Sequence, residues 1–151
     1  MMKILFVCLG NICRSPAAEA IMNALVPDIE VDSCAVANWS VGMPPYHKIV
    51  EACARKGYST LPHQKAREIT PHDFAHYDLI LAADRAVLAK VLSLSPKQYQ
   101  PKIQLLTNYS KKFHDQDIPD PYHKEEKVFD LAVDIIEDAC LGLRTHFKNY
   151  I

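Results

Sequence analysis

Four stretches of the chain carry apolar residues over strand-like lengths, and the intervals between them carry helical periodicity. "KILFVC" (residues 3–8) is an unbroken apolar run closed by a Gly-Asn turn, which predicts a strand covered on both faces. "IEVDSCAV" alternates apolar and polar positions, and "DLILAA" and "KIQLLTN" are two further short strand runs. Between the first two, Ser15 stands as an N-cap and Pro16 at the first helical position. Ala17, Ala18, Ala20, Ile21, Ala24 and Leu25 then carry the apolar stripe until Pro27 stops it. "NWSVGMPP" reads as a loop, followed by a helix from about Tyr46 to Lys56 that Gly57 ends. Thr70 and Pro71 open a short helix, "DRAVLAKVLSLS" is helical up to Pro96, and "KKFHDQDIPDPYHK" is a polar loop broken by prolines. From about Glu125 to Phe147, residues Val128, Leu131, Ile135, Ile136, Ala139 and Leu143 recur at helical spacing and predict a long closing helix.

Strands alternating with helices imply an α/β fold: a single domain with a four-stranded parallel sheet, helices on both faces and a loop after the first strand suited to phosphate. A chain of 151 residues, 49% of them hydrophobic, is of one-domain size, so the domain is expected to span residues 1–151. The formal net charge of −1 offers no basic field for nucleic acid or an anionic membrane surface, so an anion has to be held by a local site. The N-terminal apolar run is too short to span a membrane and lacks a cleavage pattern, which points to the cytoplasm. Cysteines at 8, 13, 34, 53 and 140 have no C-x-x-C pair and are odd in number, against both a secreted disulfide framework and a zinc site.

The chemistry concentrates where the first strand hands over to the first helix. In an open parallel sheet, ligands bind at the carboxyl ends of strands, and the first such end is Cys8. The following helix aims its N-terminal N–H groups and dipole back at the loop, where Gly10 and Asn11 tolerate unusual dihedrals. Arg14 adds a planar fork suited to two oxygens of a tetrahedral anion, and the same field favours a thiolate. Cys8 is therefore a candidate nucleophile for phosphorus; the plain alternative is a small residue ending a buried strand. Expelling an alkoxide or phenoxide also needs a proton donor. Asp120, stiffened between Pro119 and Pro121, is the best candidate, with Asp117 its competitor and a turn aspartate the structural alternative.

"VCLGNICRSP" with a distal "DPY" resembles the low-molecular-weight protein tyrosine phosphatases, over essentially the whole chain. The resemblance implies hydrolysis of a phosphotyrosine-containing protein or an aryl phosphate through a phosphocysteine on Cys8, with no metal and no cofactor. Arg14 and the loop amides of Leu9, Gly10, Asn11, Ile12 and Cys13 would bind the phosphoryl oxygens. Asp120 would protonate the leaving phenolate and then activate water, while Ser15 would hydrogen-bond the sulfur. Trp39 and Tyr122 resemble the aromatic walls of the family's cleft, which would flank the substrate ring; a core anchor is the alternative for Trp39. Relatives that act on phosphoarginine have Thr where this chain has Ile12, which favours tyrosine. Family members with the Cys8–Cys13 pair form a reversible disulfide that shelters the nucleophile; a buried cysteine at the start of the helix is the alternative for Cys13.

"HQKAREIT" departs from the family pattern. Gln64 stands where a His braces the loop Asn, leaving Gln64 or the adjacent His63 for that task, and Glu68 replaces a Gln. Ala83 and Val87 replace Met and Asn, which is expected to loosen packing near the site, and His123 replaces a second Tyr. An arsenate reductase on the same fold would need relay cysteines, and there are none from Leu79 through Pro121. A phosphate-binding protein without activity would need neither Cys8 nor Asp120.

Overall fold

The computed structural model describes residues 1–151, the side chain of Pro62 excepted. Four strands, β1 (Lys3–Cys8), β2 (Glu30–Ala35), β3 (Leu79–Ala82) and β4 (Ile103–Leu105), form one parallel sheet in the order β2-β1-β3-β4. Five α-helices connect and close it: α1 (Arg14–Leu25), α2 (His47–Arg55), α3 (Pro71–His76), α4 (Arg85–Leu94) and α5 (Glu126–His146). Strand alternation divides the core. Ile4 and Phe6 of β1 face a layer that includes Ile21, Ile49 and Phe129, whereas Leu5 and Val7 face Phe74, Val87 and Val91 on the other side. The sheet is thus covered on both faces, as the unbroken apolar runs require.

The chain leaves β1 toward β2 and later crosses to the far side of β1 to lay down β3. Strand order therefore reverses beside β1, and the crevice at the carboxyl ends of β1 and β3 is where such sheets bind ligands.

Element ends differ from the sequence expectation in informative places. Helix α1 begins at Arg14 with Cys13 at the N-cap, and no side chain caps it. Ser15 does not act as the cap because its hydroxyl faces the Cys8 sulfur. Helix α2 stops before Gly57, whose φ of +93° marks the left-handed stop that a glycine accommodates. In α5 the buried stripe runs through Phe129, Val133, Ile136, Cys140 and Leu143, while Leu131 points outward, 44% exposed. The expected stripe placed Leu131 inside; Phe129, the larger apolar residue, takes the buried position instead. Two 3-10 turns, Leu61–His63 and Lys97–Lys102, lie between elements, and a third, Leu106–Tyr109, takes the second half of the "KIQLLTN" run expected as strand.

Gly142 in α5 is a packing requirement. A Cβ there would sit 1.6 Å from the Tyr109 carbonyl oxygen, backbone that cannot step aside without moving the 3-10 turn Leu106–Tyr109. Gly142→Ala is therefore expected to destabilise the fold by about 3 kcal/mol despite alanine's better helix propensity. A lowered urea midpoint at unchanged slope is the readout, and an equal or higher midpoint would contradict the packing argument.

Candidate active site

Residues 8–15 curl around the Cys8 sulfur. Cys8 is 3% exposed at the end of β1, and the Asn11 backbone N–H donates to its Sγ at 3.3 Å. Ser15 Oγ lies 3.0 Å from the same sulfur. Asn11 adopts φ +56°, the left-handed conformation expected for it. Gly10 serves differently from expectation: its φ is not positive, but a Cβ would lie 2.8 Å from Trp39 Cζ2, so glycine is what lets the Trp39 indole lie over the loop.

The side chain of Asn11 pins this turn from inside. A backbone N–H can only donate, so the Arg67 N–H at 3.0 Å fixes which end of the amide is Oδ1. Nδ2 then donates to Ser15 Oγ at 2.8 Å and to Ser33 Oγ at 2.9 Å. Arg67 is brought within reach by an edge contact beside β2, where the Ala35 N–H donates to the Arg67 carbonyl and the Ile69 N–H to the Ala35 carbonyl, both at 2.8 Å. Neither Gln64 nor His63 is among these partners. Gln64 instead donates to the Pro16 carbonyl at 3.4 Å, and its buried Oε1 has no partner among the described residues. The brace expected of Gln64 or His63 is supplied by Ser33 and the Arg67 backbone.

Arg14 is 3% exposed and its fork is anchored at one end. NH1 donates to Asp84 Oδ2 at 2.7 Å and to the Ile118 carbonyl at 2.8 Å, while NH2 stands 3.8 Å from Asp120 Oδ2. Burial opposes its charge, but Cys8, Asp84 and Asp120 outweigh that and raise its pKa. Asp84 also caps α4, accepting the Val87 N–H at 2.8 Å, so α4 and the guanidinium share one carboxylate.

Cys8, Cys13 and Arg14 line a pocket of about 70 Å³, together with Leu9, Gly10 and Ile12 of the loop. Trp39 and Tyr122 wall it, with ring centroids 5.8 Å apart, and Asp120 stands at its rim. Trp39 is 52% exposed, which rules out the core-anchor alternative, and Tyr46 props Tyr122 edge-on at 5.0 Å. Asn11 and Ser15 lie beneath the pocket and hold it. The two aspartates separate here: Asp117 is tied to Arg85 through its backbone N–H at 3.0 Å and NH1 at 2.9 Å, and only Asp120 lines the pocket.

Burial, with the Cys8 and Asp120 charges behind it, pushes the Cys13 thiol up, and burial does the same for Cys34, Cys53 and Cys140. Val87 and Ala83 are both buried, each 4% exposed. His72 and His76 stack at 5.4 Å, and His76 pairs with Glu30. Among the described residues no cluster of His, Cys, Asp or Glu is placed to hold a metal ion, and no helix is long and apolar enough to cross a membrane.

Sequence reasoning did not identify Asp84, Ser33, Ser40, Tyr46 or Glu19. Asp84 had a local signal, an aspartate opening an apolar-periodic run. Ser33 had none, because it reaches Asn11 through the parallel register that sets Phe6 opposite Ser33. Ser40 closes the loop from outside by donating to the Gly10 carbonyl.

A cysteine at the end of the first strand of a parallel sheet, with a loop N–H on its sulfur and a buried arginine in the same pocket, defines an α/β enzyme of the cysteine-dependent phosphatase class. The family model for low molecular weight phosphotyrosine protein phosphatase matches residues 3–150, and the chain belongs to that family. A Synechocystis protein is 42% identical over 151 residues, 95% of each chain. The low molecular weight phosphotyrosine protein phosphatase of Sus scrofa is 40% identical over 136 residues, 85% of this chain and 84% of that one. A protein tyrosine phosphatase from Entamoeba histolytica, crystallised with Hepes in its active site, superposes with a TM-score of 0.92 at 34% identity, covering 99% of this chain and 98% of its own. The activity is that of a protein-tyrosine-phosphate phosphohydrolase working through a cysteine.

Proposed function

We propose that Cys8, Arg14 and Asp120 carry out this hydrolysis on phosphotyrosine side chains of proteins, within a single phosphatase domain spanning residues 1–151. The observation that carries the assignment is that the sulfur, the guanidinium and the carboxylate converge on one small pocket between two aromatic rings. In the first step the Cys8 thiolate attacks phosphorus in line with the phenolic oxygen. The S–P bond forms as the P–O bond breaks, and Asp120 gives its proton to the departing phenolate. Arg14 NH2 and the amides of residues 9–14 take up charge on the equatorial oxygens. In the second step Asp120, now a carboxylate, removes a proton from water as its oxygen attacks phosphorus. The S–P bond then breaks, and Ser15 donates to the returning thiolate. The ring lies between Trp39 and Tyr122, where stacking adds about 0.5–1.5 kcal/mol and favours aryl over alkyl esters. Ile12 at the pocket fits a tyrosine substrate.

Further parts of the same reading are a cytoplasmic location, no nucleic-acid or membrane partner, and reversible protection of Cys8 through Cys13. The near-neutral charge supports the absence of nucleic-acid and membrane partners, and Cys13 lining the same pocket supports the protection of Cys8.

The test is steady-state hydrolysis of p-nitrophenyl phosphate with a chelator present. Asp120→Asn is expected to lower kcat by roughly 10²–10⁴-fold. Asp117→Asn, at an exposed surface pair, is expected to stay within about twofold of wild type. The reverse order would transfer the acid role to Asp117, and no turnover by reduced wild type would overturn the reading.

A further inference from the structure

A chain of hydrogen bonds runs from the nucleophile to a carboxylate that the mechanism leaves unused. Ser33 Oγ, which accepts from Asn11 Nδ2 at 2.9 Å, donates its own proton to Glu19 Oε1 at 2.6 Å. Each link has a direction. The Asn11 amide is oriented by the Arg67 N–H, so Nδ2 spends one proton on Ser15 and one on Ser33. Both serine oxygens therefore accept from the same amide, and both hydroxyl protons must point away from it. The proton of Ser33 goes to Glu19; that of Ser15 is left for the Cys8 sulfur at 3.0 Å, with the Cys34 carbonyl at 3.3 Å as its other acceptor. The pattern is held most firmly while Glu19 is a carboxylate, which can only accept. A neutral Glu19 accepts more weakly and carries a proton of its own; where that proton turns to Ser33, the Ser33 hydroxyl loses its acceptor and the Asn11–Ser33 link loses its fixed direction.

We propose that Glu19 is a positioning residue for the hydrolysis, its carboxylate fixing Asn11 through Ser33 and so directing the Ser15 hydroxyl at Cys8, with the loop loosening when Glu19 takes up a proton. The proposal rests on the phosphatase reading above for its catalytic consequence alone; the relay stands on the contacts.

The surroundings set when that happens. Burial is the main influence that raises the Glu19 pKa, to about 7, and the neighbouring Asp32 of β2 adds to it. The Ser33 hydrogen bond and the Arg67 charge oppose the rise. Arg67 compensates only weakly because Asp32 and Asp73 claim its guanidinium at 3.0 Å each. No ion pair reaches Glu19 among the described residues. Gln64, which lies along the first turn of α1 at Pro16, is uncharged. With Arg67 drawn to Asp32 and Asp73, its charge only partly offsets the burial of Glu19, so the relay is sensitive to pH around neutrality.

The test pairs two readouts on wild type, Glu19→Gln and Ser33→Ala. The first is the pH titration of the Asn11 side-chain amide by NMR on the free protein, independent of turnover. The second is kcat for p-nitrophenyl phosphate over the same range. In wild type both are expected to inflect near 7, with kcat rising roughly three- to tenfold as Glu19 ionises, the size of one ordinary hydrogen bond. The inflection is expected to be absent from Glu19→Gln. In Ser33→Ala it is expected to fall away although Glu19 still titrates. An Asn11 amide that does not titrate in wild type, or titrates equally in Glu19→Gln, overturns the relay. An inflection surviving in Ser33→Ala also overturns it, because Glu19 would then act through space. Should Glu19→Gln fail to fold, Ser33→Ala decides alone. A titrating Asn11 in a protein that hydrolyses no aryl phosphate would uphold the relay and reject the phosphatase reading.

Discussion

Cys8→Ser is expected to lose hydrolysis by about 10⁴-fold or more while binding inorganic phosphate at least as tightly as wild type. The two halves of this result have different causes. Hydrolysis requires a strong nucleophile at the bottom of the pocket, and an alcohol there has no base to activate it: Asp84 is committed to Arg14 and the Val87 N–H, and Asp120 must enter the reaction protonated. Binding, in the mechanism proposed above, uses the loop amides and Arg14, which the substitution leaves in place, the Asn11 N–H meeting a hydroxyl oxygen instead of the sulfur. It also replaces the sulfur that the proposed mechanism uses as a thiolate by a neutral hydroxyl, and like charges at contact distance oppose each other. Steady-state kinetics with p-nitrophenyl phosphate and calorimetric titration with phosphate measure the two halves separately. Turnover above about one per cent of wild type would reject Cys8 as the nucleophile. Loss of phosphate binding together with turnover would show that the loop collapses without the sulfur and that binding and chemistry are not separable.

The part of this site legible in the sequence is the part built from neighbours in the chain. Strand β1, the loop and α1 follow one another from Lys3 to Leu25, so an apolar run, a Gly-Asn turn, an arginine and a helix start were enough to place Cys8 and Arg14 together. Asp120 was legible through its flanking prolines, and in the structure it is set apart from Asp117 because it lines the pocket while Asp117 pairs with Arg85. The sheet and its helices followed from periodicity, since long apolar-periodic segments are the most dependable signal a sequence carries. What stayed hidden arrives through tertiary register: Ser33 from β2, the Arg67 N–H from the segment before α3, and Asp84 from the end of β3. Ser15 shows the ambiguity well. A serine before a helical run is read as a cap because that is its commonest local use. Here a competing partner, the Cys8 sulfur, takes the hydroxyl, and the helix starts one residue earlier without a side-chain cap. Gln64 is a related case: it stands where the family pattern has a His, but the Asn11 amide is satisfied by groups that no local motif names.

Replacing Arg14 separates what the guanidinium does for the reaction from what it does for the fold. Arg14→Lys keeps the positive charge but not the fork, so one ammonium must choose between Asp84 and the pocket. NH1 holds the scaffold through Asp84 and Ile118 while NH2 faces the pocket beside Asp120, and a single point charge does not serve both. The expected result is a loss of kcat/KM of roughly 10³-fold, the lower end of what an arginine contributes to phosphoryl transfer. Stability is expected to change little. Arg14→Ala adds a structural penalty, because Asp84, only 20% exposed, is left without its cation at the mouth of β3; the expected cost is about 3 kcal/mol. Adding Asp84→Asn to Arg14→Ala removes that orphaned charge and retains a side-chain oxygen to cap α4. The double variant should recover most of the lost urea midpoint and none of the lost turnover. Recovery of turnover would mean that Arg14 acts only by neutralising Asp84. Failure to recover the midpoint would mean that the Ile118 carbonyl, and with it the loop carrying Asp120, is what Arg14 holds in place.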